Sequence, residues 1–135
     1  MKNQQSGFTL IELIAVLVIL GILAATALPR FVDLSESANT AVTKTTAGSI
    51  ESSSSLNYAV AVARNAGLTD DTSVSVTACD ATSVNALLTE ALDGGDYTVS
   101  GTGFAGTPAL GDTTTCTLVG PEGGTGEGFL LIYVP

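Results

Sequence analysis

Between Phe8 and Leu28 the chain is apolar almost without interruption; only Thr9, Glu12, Gly21 and Thr26 break the run. About 21 residues at ~1.5 Å rise make a helix of about 30 Å, the thickness of the hydrocarbon core of a bilayer. A helix buried inside a soluble domain is rarely apolar on every face. This segment therefore belongs in lipid or against other apolar helices, and the rest of the chain must fold without it. Glu12 is the anomaly. A carboxylate at the centre of a spanning helix costs roughly 2.5–3.5 kcal/mol, less near an end, so it needs a partner.

Three readings of this segment compete. As a secretory signal peptide it has Lys2 as a minimal positive start and Ala25-Thr26-Ala27 as a small-residue cleavage site. The apolar run is longer than the roughly 7–15 residues of an ordinary signal, however, and Glu12 would have no purpose. As a plain anchor, Lys2 keeps the N-terminus cytoplasmic and the rest passes outward; Glu12 is again unexplained. A cut after Gly7 supplies the partner. Phe8 then carries a new amino group, and Glu12 lies one helical turn further on. The carboxylate can neutralise that amine or the amine of a neighbouring copy. An unpaired buried charge is penalised heavily, so such a pair would set axial register between subunits. A contact that repeats without closing generates a helical filament.

The stretches "SGFTLIEL" and "GILAATALPRF" resemble the N-terminus of type IV pilins and the related pseudopilins. The resemblance implies that a membrane prepilin peptidase cuts between Gly7 and Phe8 and methylates the new N-terminus, making Phe8 N-methylphenylalanine. It implies that Glu12 is the assembly glutamate and that Gly21 and Pro29 are helix-weakening positions. It divides the chain into a leader (1–7), an apolar transmembrane and filament-core helix (8–28), and a periplasmic, later extracellular, head (29–135). The implied function is that of a prepilin, the structural subunit of a type IV pilus used for surface attachment. It would have no enzyme activity, cofactor or metal. Its partners would be further copies of itself in a helical filament, the inner membrane before assembly, the prepilin peptidase and the pilus assembly machinery. "ALPRFVDLSESA" is most similar to the mannose-sensitive haemagglutinin pilins, which would imply biofilm formation. The alternatives are a pseudopilin of a type II secretion system, and a monomeric anchored or secreted binding protein that never polymerises.

Composition closes other routes. The 135 residues include 13 acidic against 4 basic side chains and no His. So acidic a chain repels nucleic-acid phosphates, and without His it lacks the usual general base and the commonest zinc ligand. Two cysteines, Cys79 and Cys116, stand far apart and are poor metal ligands by themselves. In an exported chain they read as a disulfide worth roughly 3–4 kcal/mol; two unpaired buried thiols are the alternative.

Beyond Pro29 the helical pattern resumes at once, with Phe31, Leu34, Ala38, Ala41 and Val42, then Leu56, Ala59, Val60 and Ala63, at helical spacing. This predicts one long helix, bent but not ended at Pro29 and stopping near Gly67. The serine run at 52–55 and the threonines before it are poor helix formers, so packing on a sheet must hold that stretch. Residues 68–79 read as a short strand or an extended loop. "TSVNALLTEALDGG" predicts a short helix, capped by Thr82 or Ser83 and ended by Gly94 or Gly95, on the apolar positions Val84, Leu87, Leu88, Ala91 and Leu92. Residues 97–101, 113–120 and 128–135 read as strands of an antiparallel sheet, the last apolar on both faces and hence expected to be central or well covered. The fold class is α+β, a long N-terminal helix, its apolar half protruding, packed on a small antiparallel sheet. The last run ends abruptly at Pro135, which leaves the true C-terminus open.

"GGTGEG" at 123–128 lacks the Lys-Ser/Thr of a phosphate loop and precedes a strand, so it reads as a hairpin turn. Asp70 and Asp71, Asp93 and Asp96, and Asp112 with Glu122 and Glu127 offer oxygen ligands without the spacing of a calcium loop and read as solvated acidic turns.

Overall fold

The structure, a computed structural model, describes residues 7–92, 96–121 and 123–135, with the backbone alone at 28–33. Lys2 and the rest of the leader before Gly7, Asp93, Gly94, Gly95 and Glu122 lie outside the described residues. Two compact units divide the chain, Met1–Ser37 and Ala38–Pro135. The fold is α+β. The long helix α1 runs from Leu10 to Asn65, 56 residues, continuing through position 29. The short helix α2 (Ala81–Leu87) follows, then strands β1 (Thr98–Gly101), β2 (Thr113–Val119) and β3 (Glu127–Ile132). The strands form one antiparallel sheet in the order β1-β2-β3.

In the first unit the described side chains of α1 are exposed. Leu10–Ala27 has a mean hydropathy of 2.7 with none of its residues buried, and is long and apolar enough to cross a membrane. In the second unit α1 lies on the sheet. Ala47 and Ile50 share one core with Val76, Val84, Cys116, Leu118, Phe129 and Leu131. Burying an Ile or Phe of this kind contributes roughly 1.5–3 kcal/mol. Alternation along the strands supplies the sheet's half of that core: Cys116 and Leu118 on β2, Phe129 and Leu131 on β3.

The helix does not bury the stripe that its large apolar residues suggest. Val42, Leu56 and Leu34 are exposed, as are Ala38, Ala41 and Ala59. The buried positions are Thr43, Ala47, Ile50, Ser54 and Ala61. Small side chains let the helix approach the sheet closely, and both hydroxyls have partners: Thr43 Oγ1 donates to the Asn39 carbonyl at 2.8 Å, and Ser54 Oγ accepts from the Ile132 N–H at 2.9 Å.

β3 is an edge strand and β2 is central; of the expectation that the last run be central or well covered, the covering holds on one face, at Phe129 and Leu131, while Leu130 stays exposed. The edge is closed differently. Its outward N–H groups go to α1 side chains, Ile132 to Ser54 and Leu130 to Glu51 Oε2 at 3.4 Å. Just beyond, Val134 pairs with Val76 through two backbone hydrogen bonds of 2.8 and 3.2 Å. The segment before α2 is therefore an extended loop with a single bridge. The Asn57 amide fastens it to α1, donating to the Val74 carbonyl and accepting its N–H at 2.8 and 2.7 Å.

The predicted bounds of α2 move, and the last strand ends at Ile132 with only a single bridge at Val134 beyond it. α2 is capped by Asp80, whose Oδ1 accepts the Ser83 N–H at 2.7 Å, and it stops at Leu87 well short of the glycines. Asn85 redirects the chain, its Oδ1 taking the Leu92 N–H at 2.9 Å. Leu87, Leu88 and Leu92 still pack on the core. At the end of α1 the expectation holds: Gly67 takes φ 70, with the Gly67 N–H on the Arg64 carbonyl and the Leu68 N–H on the Ala63 carbonyl, both at 2.9 Å. That double bond pattern ends a helix where the residue can adopt a left-handed backbone.

Candidate functional site

Gly7, Phe8 and Thr9 precede α1 in non-helical backbone, and the Phe8 ring is 92% exposed. The Gly7–Phe8 peptide bond thus stands outside the helix. The helix then starts in a defined way. Thr9 N–H donates to Glu12 Oε2 at 2.9 Å, Thr9 Oγ1 donates to the same oxygen at 2.7 Å, and Glu12 N–H donates to Thr9 Oγ1 at 3.3 Å. This is a reciprocal capping box, which satisfies two of the donors every helix start leaves unpaired. A carboxylate there also meets the positive end of the helix dipole.

Glu12 therefore has a partner within its own chain. Sequence reasoning missed Thr9 as that partner, although the Thr-x-x-Glu spacing before an apolar run is its signature. Both donors of Thr9 fall on Oε2; among the described residues Oε1 accepts none. The carboxylate is thus oriented at the tip of the helix with one oxygen open to a cation. Further along, Thr26 Oγ1 donates to the Leu23 carbonyl at 3.0 Å and to that of Ile22 at 3.3 Å, so its hydroxyl is satisfied inside the apolar run. Lipid supplies no hydrogen bonds, and this pairing removes the need for them. Gly21 faces open space, with nothing within 4 Å of where a Cβ would stand.

In the second unit Cys79 and Cys116 are joined by a disulfide, their Cα atoms 5.7 Å apart. It ties the loop before α2 to the middle of β2. Gly101 of β1, opposite Cys116 in the register, leaves the space: a Cβ there would lie 2.7 Å from Cys79 Sγ. A second close approach involves Gly120 at the end of β2, where a Cβ would overlap Thr43 Oγ1. The turn that follows is held by Asn39 Nδ2, which donates to the Pro121 carbonyl and, at 3.4 Å, to that of Gly123. Among the described residues no group of three or more His, Cys, Asp or Glu side chains gathers to hold a metal. Asp71 is engaged by Thr69, and Asp112 by the Ala109 N–H.

Residues 2–28 match the prokaryotic N-terminal methylation motif. The chain is also similar to the type IV narrow pilus major component PilA5 of Thermus thermophilus, 50% identical over 62 residues. That match covers 46% of this chain and spans half the length of the relative. No solved structure matches the chain.

Proposed function

We propose that the chain is a prepilin, a structural subunit of a type IV pilus with no catalytic activity of its own. The observation that carries this reading is the Thr9–Glu12 box at the head of a bare apolar helix, inside the segment that matches the methylation motif. The peptidase cuts between Gly7 and Phe8, removing the leader 1–7, and Phe8 is N-methylated. The helix 8–28 holds the subunit in the inner membrane with its N-terminus cytoplasmic, then passes into the filament core. There Glu12 meets the N-terminal amine of an adjacent subunit, and Gly21 and Pro29 let the helix adjust. The head 29–135, stapled by Cys79 and Cys116, coats the filament. The Thermus relative is a pilus component, which favours the pilus over a type II secretion pseudopilus. The "ALPRFVDLSESA" stretch supports the finer reading of a mannose-sensitive haemagglutinin type of pilin, serving surface attachment and biofilm formation.

The test is intact mass with N-terminal fragmentation on protein from sheared surface material. A chain that starts at Phe8 and carries one added methyl is the expected result. A chain that starts at Leu28 is an ordinary secreted protein, and the reading fails.

A further inference from the structure

The chain divides its charge along its length. All four basic side chains, Lys2, Arg30, Lys44 and Arg64, lie before residue 65, whereas residues 66–135 hold nine of the 13 acidic side chains and no basic one. Arg64 stands where the sign changes. It is in the last turn of α1, where a cation meets the negative end of the helix dipole. That accounts for a charge there and leaves its five N–H donors unspent. Asp70 and Asp71 follow closely, yet among the described residues Arg64 has neither an ion pair nor a hydrogen bond. Asp71 takes the Thr69 hydroxyl instead.

Arg64 lines a recess of about 140 Å³ together with Asn65 and Ser73, against apolar Ala61, Leu110, Val134 and Pro135. Among the described residues neither Asn65 nor Ser73 commits its side chain to a hydrogen bond. Three uncommitted polar side chains thus share one small space with an apolar lining. Its volume is far below the ~300–1,000 Å³ of pockets that take small molecules, and it suits a single side chain. A guanidinium fork grips a carboxylate through two parallel N–H···O bonds, and the apolar lining takes the short stem behind it.

We propose that the Arg64 recess receives a carboxylate side chain from the head of a second copy of the chain. The inference rests on the filament reading above and adds to it a head-to-head contact of defined charge. A fibre crowds copies of an acidic head, and each approach of carboxylate to carboxylate is unfavourable. Seating one of them on Arg64 replaces that repulsion with a charge-assisted pair and fixes how neighbouring heads meet. The supply lies on the same chain: Glu90, Asp96 and Glu127 have no side-chain hydrogen bond or ion pair among the described residues.

Sheared fibres test it. Arg64→Glu is expected to lose fibres while the subunit keeps its disulfide and its wild-type level in the membrane. Combining it in turn with Glu90→Arg, Asp96→Arg and Glu127→Arg is expected to restore fibres in one combination, because the reversed pair forms again between copies. Arg64→Lys fibres treated with a water-soluble carbodiimide are expected to give covalent ladders beyond those of unaltered fibres. Peptide mass spectrometry is expected to find an amide between position 64 of one copy and a carboxylate of another. Restoration by one reversal, or a link at position 64, supports the contact. Normal fibres from Arg64→Glu overturn it and leave the filament reading standing. Failure of all three reversals together with absence of a link at position 64 overturns it as well. An unaltered chain that makes no fibres overturns both.

Discussion

Ser54 and Ile132 stand 78 positions apart in the chain and meet at 2.9 Å, the strand's N–H donating to the helix hydroxyl. Ser54 is fully buried. A residue that weakens α1 by propensity is there because the sheet edge needs an acceptor. Ser54→Ala leaves the Ile132 donor without its partner and is expected to cost about 1–3 kcal/mol. Ser52→Ala, on the exposed side, removes only a hydroxyl bonded back to Gly48. It is expected to stay within about 0.5 kcal/mol or to stabilise slightly, since Ala is the better helix former. Urea unfolding of both variants in mild detergent checks the pair.

Gly120 and Thr43 form the second contact between strand end and helix. Gly120→Ala drives a methyl into Thr43 Oγ1 and is expected to destabilise the head by about 1–3 kcal/mol. Thr43→Ala removes the nearer obstacle and leaves Asn39 Oδ1 at 2.9 Å. The double variant is therefore expected to be more stable than the sum of the two single losses, with a coupling of about 0.5–3 kcal/mol. Strict additivity in a double-mutant cycle would show that the contact is not the cause.

Reduction of Cys79–Cys116 is expected to lower head stability by roughly 3–4 kcal/mol in the chain-entropy account. Gly101→Ala is a sharper probe, because its methyl meets Cys79 Sγ and the Thr115 carbonyl. It is expected to destabilise the oxidised protein more than a Cys79→Ala background, where the sulfur is gone. Thermal melts of the four combinations measure this; equal losses in both backgrounds would place the strain elsewhere.

At the N-terminus, Thr9→Val keeps the shape of the side chain and removes the hydroxyl that holds Glu12. Fibre yield is expected to fall while membrane-inserted subunit accumulates, and Thr9→Ser is expected to restore it. Glu12→Ala is expected to abolish fibres without loss of insertion. Immunoblots of sheared and membrane fractions separate the two effects. Thr9→Val fibres at the wild-type level would mean that Glu12 needs no orientation from its own chain.

The legible and illegible parts of this chain differ in how far their causes lie along the sequence. The apolar run, the Gly-Phe bond and the left-handed stop at Gly67 each depend on a few neighbouring residues. The three strands are similar, since alternation and glycine-rich turns are local. The short helix is legible in its apolar spacing, but its end is not, because the Asn85–Leu92 bond turns the chain before the glycines arrive. The capping box is written locally as Thr-x-x-Glu, yet a reading by charge alone isolates Glu12 from its neighbour Thr9.

By itself, then, the sequence determined a bare apolar helix with a carboxylate near its tip, an α+β head, and two cysteines suited to one bond. The covered face of that helix was decided only in three dimensions. Periodicity ranks Leu56 and Val42 above Thr43 and Ser54 as core residues, because it counts apolar surface alone. Close packing on the sheet reverses the order: it requires small side chains at the contact, and it supplies their hydroxyls with backbone partners from distant parts of the chain or from the helix itself. The larger apolar side chains are thereby left on the outside.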